Sequence, residues 1–326
     1  MPFRALALIA FLFFAPIGGD VSAAAIPFLL EPELQIEVVP ATPAPGERVF
    51  VRAQSVRAPT TGATFVWRVN GTVAEQGIGR DSVTITAGEA GTTMNVSVSM
   101  SENGVSRGEK SVVIQPASID LVWEGNTYRP PFYIGRPLMG GDGSVTITAV
   151  PTVVRGGARI SAGDLVYSWF VNGSAAPKKR GYGVNTITMN APLFKNEFVV
   201  SVTAETIDGI LAASNQTRIS PVSPESVVYE NAPLLGIRFD RAIQGADTFE
   251  GEEKTYVAFP LTVGNADNLS YGWKVNGNRV AETGANAREV TLRRSGEGAG
   301  AFPIEFSFEN AAALFERATT GFLLTF

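Results

Sequence analysis

The chain has 326 residues, with 26 lysines and arginines against 31 aspartates and glutamates, so its formal net charge is −5. Such a balance, with both signs interspersed, indicates neither a nucleic-acid groove nor an anionic membrane surface as partner. The sequence contains no cysteine and no histidine. These absences exclude disulfides, the Ser-His-Asp triad and the histidine ligands of most zinc and copper sites. We therefore predict a chain that is not an enzyme and that needs no cofactor.

The first twenty-five residues have the order of features of a secretory signal peptide. Arg4 precedes an apolar run at 5–16, and small residues follow at 21–25. This order predicts export with cleavage after Ala23 or, as a second choice, after Ala25; an uncleaved anchor is the alternative. No later segment has the roughly 18 apolar residues of a membrane helix, so we expect no transmembrane span in the mature chain. The mature protein is expected in the periplasm, on the cell surface or outside the cell.

From position 33 onward the chain consists of short alternating runs rich in Val, Ile and Thr, separated by Gly, Pro, Asn and Asp. No segment shows a 3.6-residue apolar period, so we predict an all-β chain. The first predicted strands lie at 34–39, 48–53, around Trp67, and at 82–86, 94–101 and 111–114. A second group lies at 119–123, 144–149, around Trp169, and at 186–189, 198–204 and 217–220. The last group lies at 227–229, 254–263, around Trp273, and at 289–292, 304–308 and 321–326.

One short phrase marks the third strand of each group. It reads FVWRVNG at 65–71, YSWFVNG at 167–173 and YGWKVNG at 271–277, at intervals of about one hundred residues. An aromatic residue, a tryptophan and a valine occupy alternate positions, so all three point to one face of the strand, and Asn-Gly then supplies the two positive-φ residues of a type I′ hairpin. An exposed tryptophan could stack on a sugar, but the shared apolar face favours a core position. The predicted core tryptophans are Trp67, Trp169 and Trp273.

The interval of the phrase equals the size of one β-sandwich and predicts tandem domains. We expect three immunoglobulin-like sandwiches after the signal peptide at 1–25, with bounds at 33–116, 118–221 and 225–326. The connectors at 115–118 and 220–224 contain proline, and short Pro-containing connectors are semi-rigid. The predicted architecture is therefore an extended row of three sandwiches.

The tryptophan strand with its Val-Asn-Gly hairpin, and the many short strands in each copy, resemble the immunoglobulin-like and PKD-type repeats of bacterial surface proteins. The chain departs from the PKD pattern, because Val-Asn-Gly stands where Gly-Asp-Gly usually follows the tryptophan strand. It departs from the antibody pattern by lacking paired cysteines. The resemblance implies a non-catalytic cell-envelope protein, either a structural spacer or an adhesion module, with other envelope proteins or surface glycans as candidate partners. Likeness of fold alone assigns no function.

One aromatic segment, at 123–133, has no counterpart in the first copy. It interleaves four aromatic residues with an arginine and two prolines. Rigid aromatic side chains lose little entropy on binding, so such a segment is typical of a recognition loop and makes a carbohydrate-binding protein the alternative function. The second interpretation is a loop that folds back over its own sandwich. The candidate ligand-binding residues are Trp123, Tyr128, Arg129, Phe132 and Tyr133.

Two charged segments are further candidates. Lys178, Lys179 and Arg180 form a dense basic cluster, which we place at a hairpin tip as a contact for an acidic partner or as a plain solvated turn. The loop 245–253 contains four acidic residues and two glycines, and its oxygen ligands could hold Ca²⁺. Its spacing matches no EF-hand and no other copy repeats it, which favours a plain acidic loop. The four acidic residues are Asp247, Glu250, Glu252 and Glu253.

The last predicted strand, at 321–326, is an apolar stripe. Edge strands of open sandwiches offer unpaired backbone groups to other chains. The stripe therefore either belongs to its own core, which we predict, or meets another chain.

Overall fold

The computed structural model describes residues 34–55, 60–192, 196–280, 287–296, 298–313 and 315–326. The predicted signal peptide and its cleavage site lie outside these residues. Within them, the chain folds into strands with two short 3₁₀ turns, at Ala162–Asp164 and Ala266–Asn268. The prediction of an all-β chain of tandem immunoglobulin-like sandwiches is confirmed.

The first sandwich packs a three-stranded sheet against a four-stranded sheet. Its strands are β1 (Leu34–Val39), β2 (Arg48–Ser55), β3 (Thr64–Val69), β4 (Thr72–Ile78), β5 (Ser82–Thr86), β6 (Met94–Glu102) and β7 (Val105–Ile114). The sheet orders are β1-β2-β5 and β4-β3-β6-β7, with antiparallel pairing throughout. In β2, buried Val49 and Val51 alternate with exposed Arg48 and Arg52, as the two-residue period of a half-buried strand requires.

The second sandwich repeats this topology. Its strands are β8 (Ser118–Gly125), β9 (Ser144–Thr152), β10 (Val154–Arg155), β11 (Ala158–Arg159), β12 (Val166–Val171), β13 (Ser174–Tyr182), β14 (Thr186–Asn190), β15 (Phe198–Glu205) and β16 (Ala212–Ile219). The sheet orders are β14-β9-β8 and β13-β12-β15-β16, and β10 and β11 form a small separate ribbon. The long loop between β8 and β9, residues 126–143, has no counterpart in the first sandwich.

The third sandwich carries two additional strands. Its strands are β17 (Glu225–Ala232), β18 (Gly236–Ile243), β19 (Gly245–Thr248), β20 (Glu253–Leu261), β21 (Ser270–Val275), β22 (Asn278–Arg279), β23 (Glu289–Arg293), β24 (Ala301–Glu309) and β25 (Arg317–Thr325). The sheet orders are β18-β17-β20-β23 and β19-β25-β24-β21-β22. Strands β18 and β19, which the sequence patterns did not predict, have no counterparts in the other sandwiches.

The three tryptophans lie in the centres of the three cores. Trp67, Trp169 and Trp273 are 0%, 1% and 4% exposed. The Trp67 Nε1 donates to the carbonyl oxygen of Arg80 at 2.9 Å, and the Trp169 Nε1 donates to that of Val184 at the same distance. The indole nitrogen of Trp273 is buried without a hydrogen-bond acceptor among the described residues. The same strand position therefore anchors each core, with a hydrogen bond in two of them.

The predicted hairpins follow the tryptophan strands. Asn70 and Gly71 have φ values of 50° and 84°, and the two later Asn-Gly pairs are similar. Positive φ at both central residues is the requirement of a type I′ turn. The Asn70 side chain also accepts a hydrogen bond from the Asn95 backbone N–H at 2.8 Å, and Asn172 accepts one from Val199 at 3.0 Å. In the first two sandwiches the asparagine side chain thus fixes the turn to the neighbouring strand.

The final strand, β25, is internal to its sheet. It pairs antiparallel with β24 on one side and parallel with β19 on the other. Phe322 and Leu324 are 6% and 0% exposed, whereas Leu323 points outward. The apolar stripe therefore belongs to the core of its own sandwich, and β19 occupies the edge that another chain would need.

Deleting residues 321–326 should unfold the third sandwich. The deletion removes Phe322 and Leu324 from the core and takes away the strand that holds β19, so loss of native structure is expected rather than a folded, shorter domain. Hydrogen exchange resolved by peptide measures this, with Leu323→Ser as the control because its side chain faces outward. A truncated chain with full protection in β20, β21 and β24 contradicts the internal role of β25.

Candidate functional site

The most distinctive feature is the joint that the 126–143 loop makes between the second and third sandwiches. Local hydrogen bonds shape the loop before it reaches the next domain. The Gly125 N–H donates to the Pro137 carbonyl at 2.9 Å, and the Tyr133 N–H donates to the Pro130 carbonyl at 2.9 Å. The Tyr133 hydroxyl donates to the Arg136 carbonyl at 2.6 Å. These closures present the aromatic tip as a stiff turn.

The third sandwich offers an apolar surface to this loop. Val257 and Phe259 lie on the outer face of β20 and Tyr229 on the neighbouring strand β17, and all three are buried. The outer face of a half-buried strand is normally polar, as Thr146 and Thr148 of β9 illustrate. In β20, by contrast, every residue from Tyr256 to Pro260 is buried, because both faces of the strand are covered.

Phe132 covers this apolar surface from the second sandwich. Its ring centroid lies 5.0 Å from that of Tyr229, 4.9 Å from that of Phe239 and 5.3 Å from that of Phe259. The contacts to Tyr229 and Phe259 are edge-to-face, a favoured arrangement of aromatic pairs. The guanidinium of Arg288 lies 5.4 Å from the Phe259 ring centre. The four rings form a small second core between the two domains.

Polar contacts fix the position of the loop. The Tyr128 backbone N–H donates to the Val263 carbonyl at 2.7 Å, and its hydroxyl accepts from the Arg288 guanidinium at 3.2 Å. The Asp142 carboxylate accepts from the Phe315 backbone N–H. Gly140 pairs with Val222 of the connector in an isolated bridge. Hydrogen bonds at several points give the joint a specific geometry in addition to apolar burial.

Close backbone approach explains the glycines that flank the loop. A Cβ on Gly140 would lie 2.7 Å from the Thr262 carbonyl oxygen of the third sandwich. A Cβ on Gly125 would lie 2.4 Å from the Leu138 carbonyl oxygen and 2.7 Å from the Met139 nitrogen. Real Cβ atoms do not come so near to backbone atoms, so a larger residue at either position forces the backbone apart.

Gly125→Ala should loosen the loop and destabilise the second sandwich by about 1–3 kcal/mol, the usual cost of overpacking. The reason is the clash with the Leu138–Met139 peptide, which cannot move without shifting the loop. Urea denaturation followed by fluorescence measures the change. Gly62→Ala is the matched control, because nothing lies within 4 Å of its added carbon. Equal stability of the two variants contradicts the close packing of the loop on β8.

The joint places the five candidate ligand-binding residues in different environments. Tyr128 and Phe132 pack against the third sandwich. Trp123 instead packs against the core of the second, with the Arg136 guanidinium 3.8 Å from its ring centre. Arg129 is exposed and pairs with Glu124 at 2.7 Å. The sequence suggested either a recognition loop or a loop that folds over its own sandwich. Neither interpretation predicted that the loop docks on the next domain.

A cleft of about 190 Å³ remains under the loop. Tyr133, the fifth candidate residue, lines it together with Tyr128, two prolines of the loop and Leu261. Glu225 supplies a carboxylate beside the connector. The cleft is smaller than the roughly 300–1,000 Å³ of pockets for drug-sized ligands. Glycan binding by this loop stays a prediction. Only the faces of the loop that do not contact the third sandwich are available for it.

The basic cluster is not at a hairpin tip, contrary to expectation. Lys178, Lys179 and Arg180 lie within β13, and the pairing of this strand with β12 shifts register between Ser168 and Phe170. Strand β13 is the edge of its sheet. Lysine and arginine on an edge strand oppose pairing with another chain. An acidic partner for this cluster stays a prediction.

The acidic loop is divided between two environments. Asp247 is buried, and its carboxylate accepts from Lys254 at 2.6 Å and from the Tyr256 hydroxyl at 2.8 Å. Burial raises the pKa of Asp247, but these hydrogen bonds outweigh burial and hold the pKa below its usual value. Glu253 points outward to Arg293 at 2.6 Å. Among the described residues, no three acidic side chains converge in a way that could hold a metal ion.

The joint between the first and second sandwiches contains hydrogen bonds and one close glycine contact. The Thr42 and Ser214 hydroxyls are 2.8 Å apart, and the Ala117 N–H donates to the Pro43 carbonyl at 3.1 Å. Gly91 lies against Val154, so close that a Cβ would be 2.5 Å from the valine side chain. Each pair of consecutive sandwiches is therefore in contact, and the second joint has an apolar centre formed by described residues.

The comparisons with known proteins assign no family to this chain. The sequence matches no protein-family model and no curated protein. The fibronectin(III)-like modules of Clostridium thermocellum CbhA are 13% identical with a TM-score of 0.27, and the match covers 57% of this chain and 94% of theirs. The central fibronectin-III array of RIM-binding protein is 12% identical with a TM-score of 0.32, covering 89% and 94%.

A third similar structure comprises the three N-terminal domains of the bacteriophage RB49 highly immunogenic outer capsid protein, Hoc. It is 14% identical with a TM-score of 0.24, and the match covers 90% of this chain and 97% of that one. Such low identities and TM-scores assign neither a family nor a function to this chain. Within the described part of the chain, no helix has the length and apolarity needed to cross a membrane.

Proposed function

We propose that this protein is a non-catalytic, exported component of a bacterial cell envelope, in which the tandem sandwiches act as a spacer or interaction module of defined shape. The joint at Phe132 is the observation that carries the proposal. A spacer must hold its domains in a fixed order and direction, and an apolar, hydrogen-bonded joint does so better than a bare linker. The proline-containing connectors support the same role.

The division into domains at 33–116, 118–221 and 225–326, and the signal peptide at 1–25, are part of this proposal. An exported chain without cysteine cannot use disulfides, so each sandwich must be stable through its own core. Cores centred on Trp67, Trp169 and Trp273 meet that demand.

Small-angle scattering on the mature protein tests the shape. Three sandwiches end to end should give an elongated particle with a maximum dimension on the order of 100 Å. A compact particle overturns the spacer role. Mass spectrometry of the N-terminal peptide from the envelope fraction tests export, with a start at Ala24 expected and an intact Met1 in the cytoplasm contradicting it.

The second candidate function is carbohydrate binding at the cleft beside Tyr133. The two tyrosines and two prolines that line it offer the apolar surface on which a sugar ring packs. A glycan array comparing the native protein with the double variant Trp123→Ala, Tyr133→Ala tests this function. Binding that the double variant loses supports it, and no binding by either protein removes it.

A further inference from the structure

Asn-Gly pairs form the turns of four hairpins, and all four have the same backbone conformation. The φ values lie between 49° and 55° for the asparagines and between 77° and 84° for the glycines. Every residue of these pairs is exposed to water. Backbone geometry and exposure therefore do not distinguish the turns. The pairs are Asn70-Gly71, Asn103-Gly104, Asn172-Gly173 and Asn276-Gly277.

Two of the asparagines are held to the neighbouring strand by a pair of hydrogen bonds, here called the clasp. The side-chain oxygens of Asn70 and Asn172 accept from the backbone N–H groups of Asn95 and Val199, at 2.8 and 3.0 Å. The backbone N–H of each asparagine donates back to the carbonyl oxygen of the same residue, at 2.8 and 2.9 Å. The clasp therefore fixes the carboxamide against the neighbouring strand.

A proline prevents the clasp in the third sandwich. The Asn276 N–H donates to the Pro303 carbonyl oxygen at 2.9 Å, so Pro303 occupies the position of Asn95 and Val199. The strand register agrees, since the residue before each asparagine pairs with the residue after its acceptor. Proline has no N–H with which to return the hydrogen bond. The carboxamides of Asn276 and Asn103 have no hydrogen-bond partner among the described residues.

We propose that Asn103 and Asn276 are sites of spontaneous deamidation in the folded protein, and that the clasp protects Asn70 and Asn172. This inference is independent of the function proposed above. The backbone nitrogen of the following glycine attacks the asparagine Cγ and loses its proton, and a C–N bond forms. The bond from Cγ to Nδ2 breaks, and ammonia leaves with that proton. Water then opens the succinimide at either carbonyl, so asparagine and water become aspartate or isoaspartate and ammonia.

The unclasped carboxamides can turn toward the nitrogen that attacks them. Glycine has no Cβ to hinder this approach. The Gly277 N–H also has no acceptor among the described residues, so no hydrogen bond holds it away. A clasped carboxamide must first break its hydrogen bond to the neighbouring strand. Deamidation should therefore be about two- to tenfold slower at Asn70 and Asn172, the factor expected from one hydrogen bond.

The third sandwich should be the more sensitive to this change. Isoaspartate adds one carbon to the backbone, which a two-residue type I′ turn cannot accommodate without opening. Strand β22, which follows Asn276, is two residues long and lies at the edge of its sheet. Strand β7, which follows Asn103, is ten residues long and pairs with β6 throughout. Isoaspartate should therefore release β22 and leave β7 in place.

Peptide mapping of the folded full chain, aged at mildly alkaline pH, tests the proposal. Trypsin places the four asparagines in separate peptides, at 69–80, 81–107, 160–178 and 275–279. Mass spectrometry with electron-transfer fragmentation measures aspartate and isoaspartate at each site. Faster deamidation at Asn103 and Asn276 than at the clasped sites is expected. Equal rates at all four sites, or a faster rate at a clasped site, overturn the proposal. The chain unfolded in urea is the control, because the four rates should then be similar.

Two variants exchange the clasp between sandwiches. Pro303→Val supplies the missing N–H at a position whose side chain is exposed, so deamidation at Asn276 should slow to the rate at Asn172. Val199→Pro removes the donor in the second sandwich and should raise the rate at Asn172. Asn103 is the internal reference, since neither variant alters its hairpin. An unchanged rate at Asn276 in folded Pro303→Val overturns the role of the clasp, whether or not Val199→Pro folds.

Discussion

Replacing Trp169 by alanine should unfold the second sandwich and leave the first one intact. The ring is 1% exposed and lies at the centre of the core, and removing a buried tryptophan costs about 3–5 kcal/mol. Trp67→Ala and Trp273→Ala should act in the same way on their own sandwiches. Hydrogen exchange resolved by peptide assigns the loss of protection to each domain. Val122→Ala is the control, since that side chain is 60% exposed.

The hydrogen bonds of the indoles refine this expectation. Trp169→Phe keeps an aromatic ring but leaves the Val184 carbonyl without its donor, which adds roughly 1–3 kcal/mol to the cost of the lost ring volume. Trp273→Phe breaks no hydrogen bond in the described part of the chain and should cost less. A larger loss of unfolding free energy for Trp273→Phe than for Trp169→Phe contradicts this account. An alanine series in which each variant loses less than about 1 kcal/mol of unfolding free energy also contradicts it.

The repeated phrase predicted much of the architecture because its determinants are local. An alternating strand and an Asn-Gly turn require only neighbouring residues, and both occur at 65–71 as expected. Strand β19 was missed because its four residues gain their stability from parallel pairing with β25, which is distant in sequence. Strand β18 was missed for a similar reason, since it is an edge strand held by β17.

The joint was beyond sequence reasoning for a different physical reason. A cluster of aromatics at 123–133 indicates that the side chains will bind something, but the pattern is the same for a ligand, for the chain's own core and for a neighbouring domain. The sequence of β20, whose outer face the loop covers, was the better indication of the joint. From Tyr256 to Leu261 the alternation expected of a half-buried strand breaks down, which indicates a strand covered on both faces.

Phe132→Ala should uncouple the second and third sandwiches while each stays folded. The variant removes the ring that contacts Tyr229, Phe239 and Phe259, and burial of a large apolar side chain is worth about 1.5–3 kcal/mol. The exposed surface on β17 and β20 should then bind a hydrophobic dye. Scattering should show a broader range of interdomain angles, and differential calorimetry should resolve a separate transition for the third sandwich.

Ile134→Ala is the matched control for this variant, because the side chain lies two residues away on the same loop and is fully exposed. The free energy of unfolding of Ile134→Ala should stay within about 0.5 kcal/mol of the native value, as for other surface substitutions. If Phe132 holds the domains together, Phe132→Ala changes the shape of the particle and Ile134→Ala does not. Identical scattering from native protein and Phe132→Ala would show that the aromatic joint does not fix the domains, and the spacer role would lose the observation on which it rests.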